Sequence, residues 1–148
     1  GVFDEALCRP MVEALRSLGA VHALVVHSND GLDEISLATT TQVAELKNGE
    51  VTEYEITAES AGLEAQNLEG LQVADANESL ALIRAAMSGA NPKAADMVAL
   101  NAGAALYAAD KVESLKAGVQ LAVETIASGA ALAKMEELAR FSQAFKEA

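Results

Sequence analysis

Cysteine and aromatic residues are scarce in this sequence: the 148-residue chain has one cysteine, no tryptophan and 3% aromatic residues. The lone thiol, Cys8, cannot form a disulfide within the chain, which favours a reducing cytoplasm and predicts a buried structural cysteine. No run of about 18 apolar residues occurs, so no membrane span is predicted. The 51% hydrophobic content is rich in alanine and poor in rings, which predicts closely packed helices and disfavours a β-sandwich.

Basic residues are also scarce, with 10 lysines and arginines against 22 acidic residues and a formal net charge of −12. Nucleic-acid binding depends on basic side chains that displace counterions from phosphates, so a nucleic-acid partner is disfavoured. Repulsion from anionic lipid disfavours a membrane surface in the same way. An acidic chain can still bind a phosphorylated ligand when a metal ion lies between them.

The first thirty residues predict a helix followed by a buried strand. Asp4 is placed to cap a helix that Pro10 should kink or shorten. The apolar face of that helix is predicted to carry four residues: Leu7, Met11, Leu15 and Leu18. Residues 22–27 form a short apolar run typical of a strand in a parallel sheet. Residues 2–3 resemble the end of an earlier strand, so the helix and the following strand are expected to form the second half of a βαβ unit. Because the beginning of that earlier strand is missing, we expect the chain to be a C-terminal piece of a longer protein.

A β-hairpin is predicted next along the chain. The stretches 41–47 and 51–57 are strand-like, and Asn48-Gly49 between them is a strong hairpin signal. Partial alternation predicts one solvent-exposed face, from the pattern at Val43, Glu45, Val51, Glu53, Glu55 and Thr57.

The remaining sequence predicts helices. Asp75 and Glu78 have the form of a capping box, and Asn91-Pro92 opens a further helix in which Gly103 predicts close approach of another backbone. Apolar stripes predict three buried faces: Leu80, Ile83 and Met87; Val112, Leu115, Val119, Ala122 and Ile126; and Leu132, Met135, Leu138, Phe141 and Phe145. The fold class predicted is α/β, with a small mixed sheet, a β-hairpin and about five helices.

Acidic side chains follow the apolar run of residues 22–27, at Asp30, Asp33 and Glu34. Ligands of open α/β sheets bind beyond the carboxyl ends of strands, and Mg²⁺ commonly takes one or two protein carboxylates together with phosphate oxygens and water. Position alone leaves a magnesium site and an ordinary solvated loop as open interpretations. The hydroxyls of Ser36, Thr39, Thr40 and Thr41 could contact phosphate oxygens, and His27 could support the acids. All of them, and His22, are interpreted first as hydrogen-bonding groups of the strand and loop.

Three segments in this order carry a resemblance that covers essentially the whole chain. They are Asp-Gly-Leu-Asp-Glu-Ile-Ser at 30–36, Val-Ala-Glu-Leu at 43–46 with Asn-Gly at 48–49, and Asn-Ala-Gly-Ala-Ala-Leu-Tyr at 101–107. Together they resemble the anthranilate phosphoribosyltransferase family. The resemblance implies that residues 1–148 are the C-terminal part of an α/β catalytic domain of the nucleoside phosphorylase/phosphoribosyltransferase type.

The resemblance also implies an activity. The whole enzyme would be a cytoplasmic transferase of tryptophan biosynthesis that moves phosphoribosyl from phosphoribosyl pyrophosphate to anthranilate and releases pyrophosphate. Its cofactor would be Mg²⁺, with Asp33 and Glu34 as metal ligands, directly or through water. No catalytic acid or base is predicted, because such a transfer depends mainly on positioning and charge stabilisation.

Several family features have no counterpart in these 148 residues. They are the Gly-Thr-Gly-Gly-Asp phosphate loop, the Lys-His-Gly-Asn segment, an upstream arginine that contacts anthranilate, and the N-terminal helical domain through which the family forms homodimers. We therefore expect this chain alone to be inactive.

Three other interpretations stay open. A relative of pyrimidine-nucleoside phosphorylase would share the fold and a related sugar transfer, although the Asp33-Glu34 pair favours the phosphoribosyltransferase. A nucleic-acid-binding sister of the transferase is disfavoured by the acidic charge. A plain interaction or folding fragment is compatible with a catalytic parent, since a fragment can be inert while its parent is active.

Overall fold

The apolar run and the Asn-Gly turn build a three-stranded antiparallel sheet in the computed structural model, which describes residues 1–145. Strands β1 (His22–Ser28), β2 (Thr41–Lys47) and β3 (Glu50–Ile56) lie in the order β1-β2-β3. Asn48 and Gly49 adopt φ angles of 53° and 81°, the left-handed conformation that a two-residue hairpin turn requires. The predicted hairpin is therefore confirmed.

Five α-helices accompany the sheet in the described part of the chain, as predicted: α1 (Cys8–Ser17), α2 (Ala76–Met87), α3 (Pro92–Ala108), α4 (Leu115–Ala127) and α5 (Ala130–Gln143). Asp75 caps α2 by accepting hydrogen bonds from the backbone N–H groups of Asn77 and Glu78 at 2.8 and 2.9 Å. Asn91 caps α3 through the N–H of Ala94 at 3.1 Å. Among residues 1–145 no helix is both long and apolar enough to span a membrane.

Helices cover both faces of the sheet. Helix α1 packs on one face, where Cys8 and Val12 meet Val25 of β1. Helices α3 and α4 pack on the other face, where Leu100 and Val119 meet the strands in a second core. The buried position of Cys8 confirms its structural interpretation, and burial followed by nearby acidic charge raises the pKa of its thiol.

Strand β1 is buried because helices cover both faces of the sheet, and not because it lies between parallel strands. It pairs antiparallel with β2, Val25 opposite Ala44 and Val26 opposite Val43. The parallel pairing predicted for this strand is therefore not found within residues 1–145, where the sheet predicted to be mixed is antiparallel. Neighbouring valines face opposite helical layers, which explains a continuous apolar run without parallel neighbours. The Val2 N–H donates to the Val26 carbonyl at 3.0 Å, but residues 2–3 are not assigned to a strand.

Three predicted apolar faces are wrong in whole or in part. In α2 the buried residue is Ala86, whereas Leu80 and Ile83 of the predicted face are 45% and 40% exposed. For α1 the prediction is half confirmed: Leu7 and Leu15 pack against the core formed by Cys8 and Val12, whereas Met11 and Leu18 are exposed. Pro10 lies in the first turn of α1, where its missing N–H breaks no helical hydrogen bond. In α5 no residue is buried: Leu138 and Phe141 are 64% and 65% exposed, and Phe145, just after the helix, is 68% exposed. The stripe of α4 is confirmed at its centre by three buried residues: Val119, Ala122 and Ile126.

Candidate functional site

The segment of residues 29–40 that joins β1 to β2 carries the two acids of interest. This acidic loop has no helix or strand of its own. The side chains of Asp33 and Glu34 are exposed, and among residues 1–145 no hydrogen bond or ion pair engages either carboxylate. They stand at the rim of a cleft of about 510 Å³, whose other walls are mainly apolar: Leu32, Leu68, Leu71, Gln72, Val73 and Met97.

The third acid of the loop has a different role. The carboxylate of Asp30 accepts hydrogen bonds from the hydroxyls of Ser28 and Ser36, the latter at 2.6 Å. Loss of surrounding water acts to raise the pKa of Asp30, but these hydrogen bonds and those from the backbone outweigh it and hold the pKa below its ordinary value. Asp30 therefore stabilises the loop through internal hydrogen bonds. Asp33 and Glu34 are the acids of the loop whose carboxylates have no such bond among residues 1–145.

Buried hydroxyls close the other side of the loop. The backbone N–H of Ser36 donates to Oγ1 of Thr41 at 3.1 Å, and the N–H of Ala38 donates to Oγ of Ser36 at 3.0 Å. Ser36 and Thr41 are completely buried. Their interpretation as loop hydrogen-bonding groups is confirmed.

Helix α3 holds the loop from the opposite layer. Oδ1 of Asn101 accepts the backbone N–H of Ile35 at 2.9 Å, and Nδ2 of Asn101 donates to the carbonyl of the same residue at 2.9 Å. Ile35 directly follows Glu34 and is 1% exposed. Asn101 belongs to one of the three segments that carry the family resemblance, but its role was not predicted. No local sequence pattern links an asparagine in a helix to a loop 66 residues earlier.

A second polar cluster, which we term the Glu45 cluster, ties the sheet to the end of α3. Glu45 of β2 is 7% exposed, and its carboxylate accepts hydrogen bonds from the hydroxyls of Tyr54 and Tyr107 at 2.9 and 2.8 Å. Nε2 of His22 lies 3.0 Å from the same carboxylate, and its Nδ1 lies 2.7 Å from Asp110. Burial first, then the contact with Glu45, raises the pKa of both tyrosines.

His22 and His27 form hydrogen bonds with groups other than the two free acids. His22 belongs to the Glu45 cluster, and Nδ1 of His27 donates to the carbonyl of Val2 at 2.9 Å. The structural interpretation of both histidines is confirmed.

The donor set at the loop fits magnesium. Within residues 1–145 no group of three or more histidine, cysteine or acidic side chains is arranged to hold a metal. Two exposed, adjacent carboxylates are what Mg²⁺ takes from a protein when phosphate oxygens and water complete its six ligands. Asp33 and Glu34 meet that requirement and offer hard oxygen atoms without breaking any internal contact.

The antiparallel sheet, the helices on both of its faces and the exposed acids of the loop define a small α/β domain. The chain belongs to the glycosyl transferase family, a/b domain, whose family model matches residues 1–132. The predicted α/β class and the resemblance to a phosphoribosyltransferase are confirmed with it.

Curated relatives carry a more specific name. The anthranilate phosphoribosyltransferase of Stutzerimonas stutzeri (strain A1501) is 57% identical over 151 residues, which cover 99% of this chain and 43% of that protein. That of Marinobacter nauticus (strain ATCC 700491 / DSM 11845 / VT8) is 56% identical over 149 residues, covering 98% and 44%. The chain therefore spans less than half the length of these relatives.

Solved structures agree with the fold. The anthranilate phosphoribosyltransferase of Thermus thermophilus superposes with a TM-score of 0.83 at 43% identity, over 93% of this chain and 40% of that one. The Saccharomyces cerevisiae enzyme, solved in complex with PRPP and Mg, superposes with a TM-score of 0.79 at 23% identity, over 92% and 40%. The second likeness concerns the fold alone.

Proposed function

We propose that this chain is part of an anthranilate phosphoribosyltransferase and supplies the magnesium-binding half of its active site. The whole enzyme would transfer phosphoribosyl from phosphoribosyl pyrophosphate to anthranilate and release pyrophosphate. The observation that carries the proposal is the pair Asp33 and Glu34, two exposed carboxylates without internal partners on a braced loop of a glycosyl transferase domain.

The roles of the residues follow from their contacts. Asp33 and Glu34 would hold Mg²⁺, directly or through water, at the rim of the cleft. Bound magnesium would supply charge neutralisation for the departing pyrophosphate. Asp30, Ser28 and Ser36 keep the loop in one conformation, so the two free carboxylates are oriented before the ligand arrives.

Names of relatives support the same ligands. Curated proteins 57% and 56% identical to this chain are named anthranilate phosphoribosyltransferases, and the yeast protein of the same fold has been solved with PRPP and Mg. The acidic pair and these names favour the transferase over a pyrimidine-nucleoside phosphorylase relative or a nucleic-acid-binding sister.

A double substitution in the whole enzyme tests the metal role. Asp33→Asn with Glu34→Gln keeps size and polarity but removes both charges, so we expect the Mg²⁺ concentration for half-maximal turnover to rise sharply while the melting temperature stays unchanged. The matched control is Glu136→Gln with Glu137→Gln, an adjacent and exposed acidic pair on α5. An unaltered Mg²⁺ requirement in the first double variant would refute the assignment.

We propose further that the site is completed by parts of the enzyme beyond these 148 residues. The purified chain is then expected to form no phosphoribosylanthranilate, whereas the whole enzyme forms it. Product detected with the purified chain would contradict this. We also propose a cytoplasmic homodimer for the whole enzyme, which cell fractionation and light scattering test.

A further inference from the structure

The carboxamide of Asn101 uses both of its N–H donors and its oxygen acceptor on backbone groups. Oδ1 accepts the Ile35 N–H at 2.9 Å, while Nδ2 donates to the carbonyls of Ile35 at 2.9 Å and Met97 at 3.1 Å. An amide group has two N–H donors, and both are engaged here. The contact with Met97, one turn earlier in α3, fixes the orientation of the amide.

These contacts fix the backbone immediately beside the acidic pair. The N–H that Asn101 binds belongs to the peptide group between Glu34 and Ile35. The side chain of Ile35 is 1% exposed in the core under α3, so this residue is held by its side chain and by both of its backbone polar groups. Because residues 29–40 have no helix or strand, such contacts set the direction in which the carboxylates project.

The other end of this link, helix α3, is closely packed in the core. Helix α3 packs against α4 so closely that a Cβ atom at Gly103 would lie 2.5 Å from the backbone nitrogen of Val119. Its last turn is joined to the sheet where the hydroxyl of Tyr107 meets Glu45 at 2.8 Å. Asn101 lies two residues before Gly103 on the same helix and connects the loop to this closely packed part of the core.

We propose that Asn101 is a positioning residue for the magnesium ligands: it orients Asp33 and Glu34 through the backbone of Ile35 and does not itself touch the metal. This inference rests on the proposed function. Groups that orient metal ligands without binding the metal typically change metal affinity by about 10- to 100-fold when they are removed. A residue that only stabilises the fold would lower the melting temperature without that change.

The test uses Asn101→Asp and Asn101→Ala in the whole enzyme. The aspartate keeps the size and the acceptor but loses both donors, and the alanine loses the whole contact. Pyrophosphate binding is measured by calorimetry over a series of Mg²⁺ concentrations. We expect the Mg²⁺ concentration for half-maximal binding to rise roughly 10- to 100-fold in both variants.

Asn91→Ala is the matched control. Asn91 is also an asparagine of α3 that binds a backbone N–H, at 3.1 Å, but it caps the helix and does not contact the loop. We expect it to lower the melting temperature and leave the Mg²⁺ requirement unchanged. Equal rises in the Mg²⁺ requirement for Asn91→Ala and Asn101→Ala would overturn the inference.

Amide exchange provides a readout that needs no activity and no variant. In the unaltered enzyme the Ile35 amide should exchange slowly with deuterated solvent, because it is buried and bonded to Asn101. Fast exchange of this amide in a protein whose α3 amides are protected would overturn the inference. In a folded Asn101→Ala variant, Ile35 should exchange faster while the amides of α3 remain protected.

The Asp33→Asn, Glu34→Gln variant separates the two proposals. If it changes the Mg²⁺ requirement and the folded Asn101 variants do not, the positioning role is wrong and the metal site stands. If it leaves the Mg²⁺ requirement unchanged, the metal site itself is wrong and the role of Asn101 is lost with it.

Discussion

Gly103 of α3 and Gly118 of α4 face each other where the two helices cross. A Cβ atom built on Gly118 would overlap the carbonyl oxygen of Gly103, and one built on Gly103 would lie 2.5 Å from the backbone nitrogen of Val119. The backbones are therefore in direct contact, and only glycine fits at either position. This explains why a residue that disfavours helix is present in the middle of α3.

Gly118→Ala is expected to destabilise the protein. The added methyl group meets backbone rather than a flexible side chain, so the helices must separate, and overpacking of this kind costs about 1–3 kcal/mol or more. Urea unfolding of the 148-residue chain measures the loss. Ala105→Ser, at an exposed position of α3, is the control and should change the free energy of unfolding by less than about 0.5 kcal/mol. Equal stability of Gly118→Ala and the unaltered chain would show that the helices do not approach this closely.

Glu45→Leu should be strongly destabilising although leucine suits a buried strand. The change removes the shared acceptor of Tyr54 and Tyr107 and the carboxylate beside His22. Each buried group that loses its partner costs about 1–3 kcal/mol. Glu55→Leu on β3 is the control, because Glu55 is exposed and bonds only the exposed amide of Gln42 at 2.7 Å. Similar unfolding midpoints for the two variants would contradict the buried role of Glu45.

The local features of the fold were predictable from sequence, because neighbouring residues determine them. Asn48 and Gly49 set the hairpin by their own backbone preferences, and Asp75 and Asn91 cap helices through N–H groups two or three residues away. Their geometry depends little on the rest of the protein. The predicted starts of α2 and α3 are confirmed for this reason.

Features that depend on distant contacts were not predictable in the same way. Alternation along β2 cannot show that Glu45 is buried, since its partners Tyr54 and Tyr107 lie 9 and 62 residues away. Position after a strand located three acids, and the family resemblance singled out Asp33 and Glu34 among them. The link from Asn101 to Ile35 joins residues 66 apart. Sequence therefore indicated where the acids cluster, but neither the hydrogen bonds of Asp30 nor the contact of Asn101 with the loop.

Low pH should weaken the hydrogen bonds by which Asp30 stabilises the acidic loop. Because the folded-state pKa of Asp30 is lowered, the stability it contributes is present above its unfolded pKa, about 4, and is lost as the pH falls through the lower folded value. The unfolding midpoints of the unaltered chain and Asp30→Asn should therefore differ at pH 7 and converge towards pH 3. Asp33→Asn, on the same loop without an internal partner, should match the unaltered midpoint at pH 7. A midpoint difference for Asp30→Asn that persists undiminished at the lowest pH would contradict the role of the hydrogen-bonded carboxylate.

Phe141→Ser should leave the stability of the 148-residue chain nearly unchanged, although the apolar stripe of α5 predicts a core position. Phe141 is 65% exposed and its ring meets chiefly Phe145 of the same segment, with centroids 5.2 Å apart. Surface changes of this kind shift the free energy of unfolding by less than about 0.5 kcal/mol. Ile126→Ala on α4, at a position 8% exposed, should cost about 2–5 kcal/mol because it leaves a cavity. Urea unfolding of both variants measures the two changes in the free energy of unfolding. If Phe141→Ser lowers it as much as Ile126→Ala does, the α5 stripe packs in a core, as its periodicity predicts.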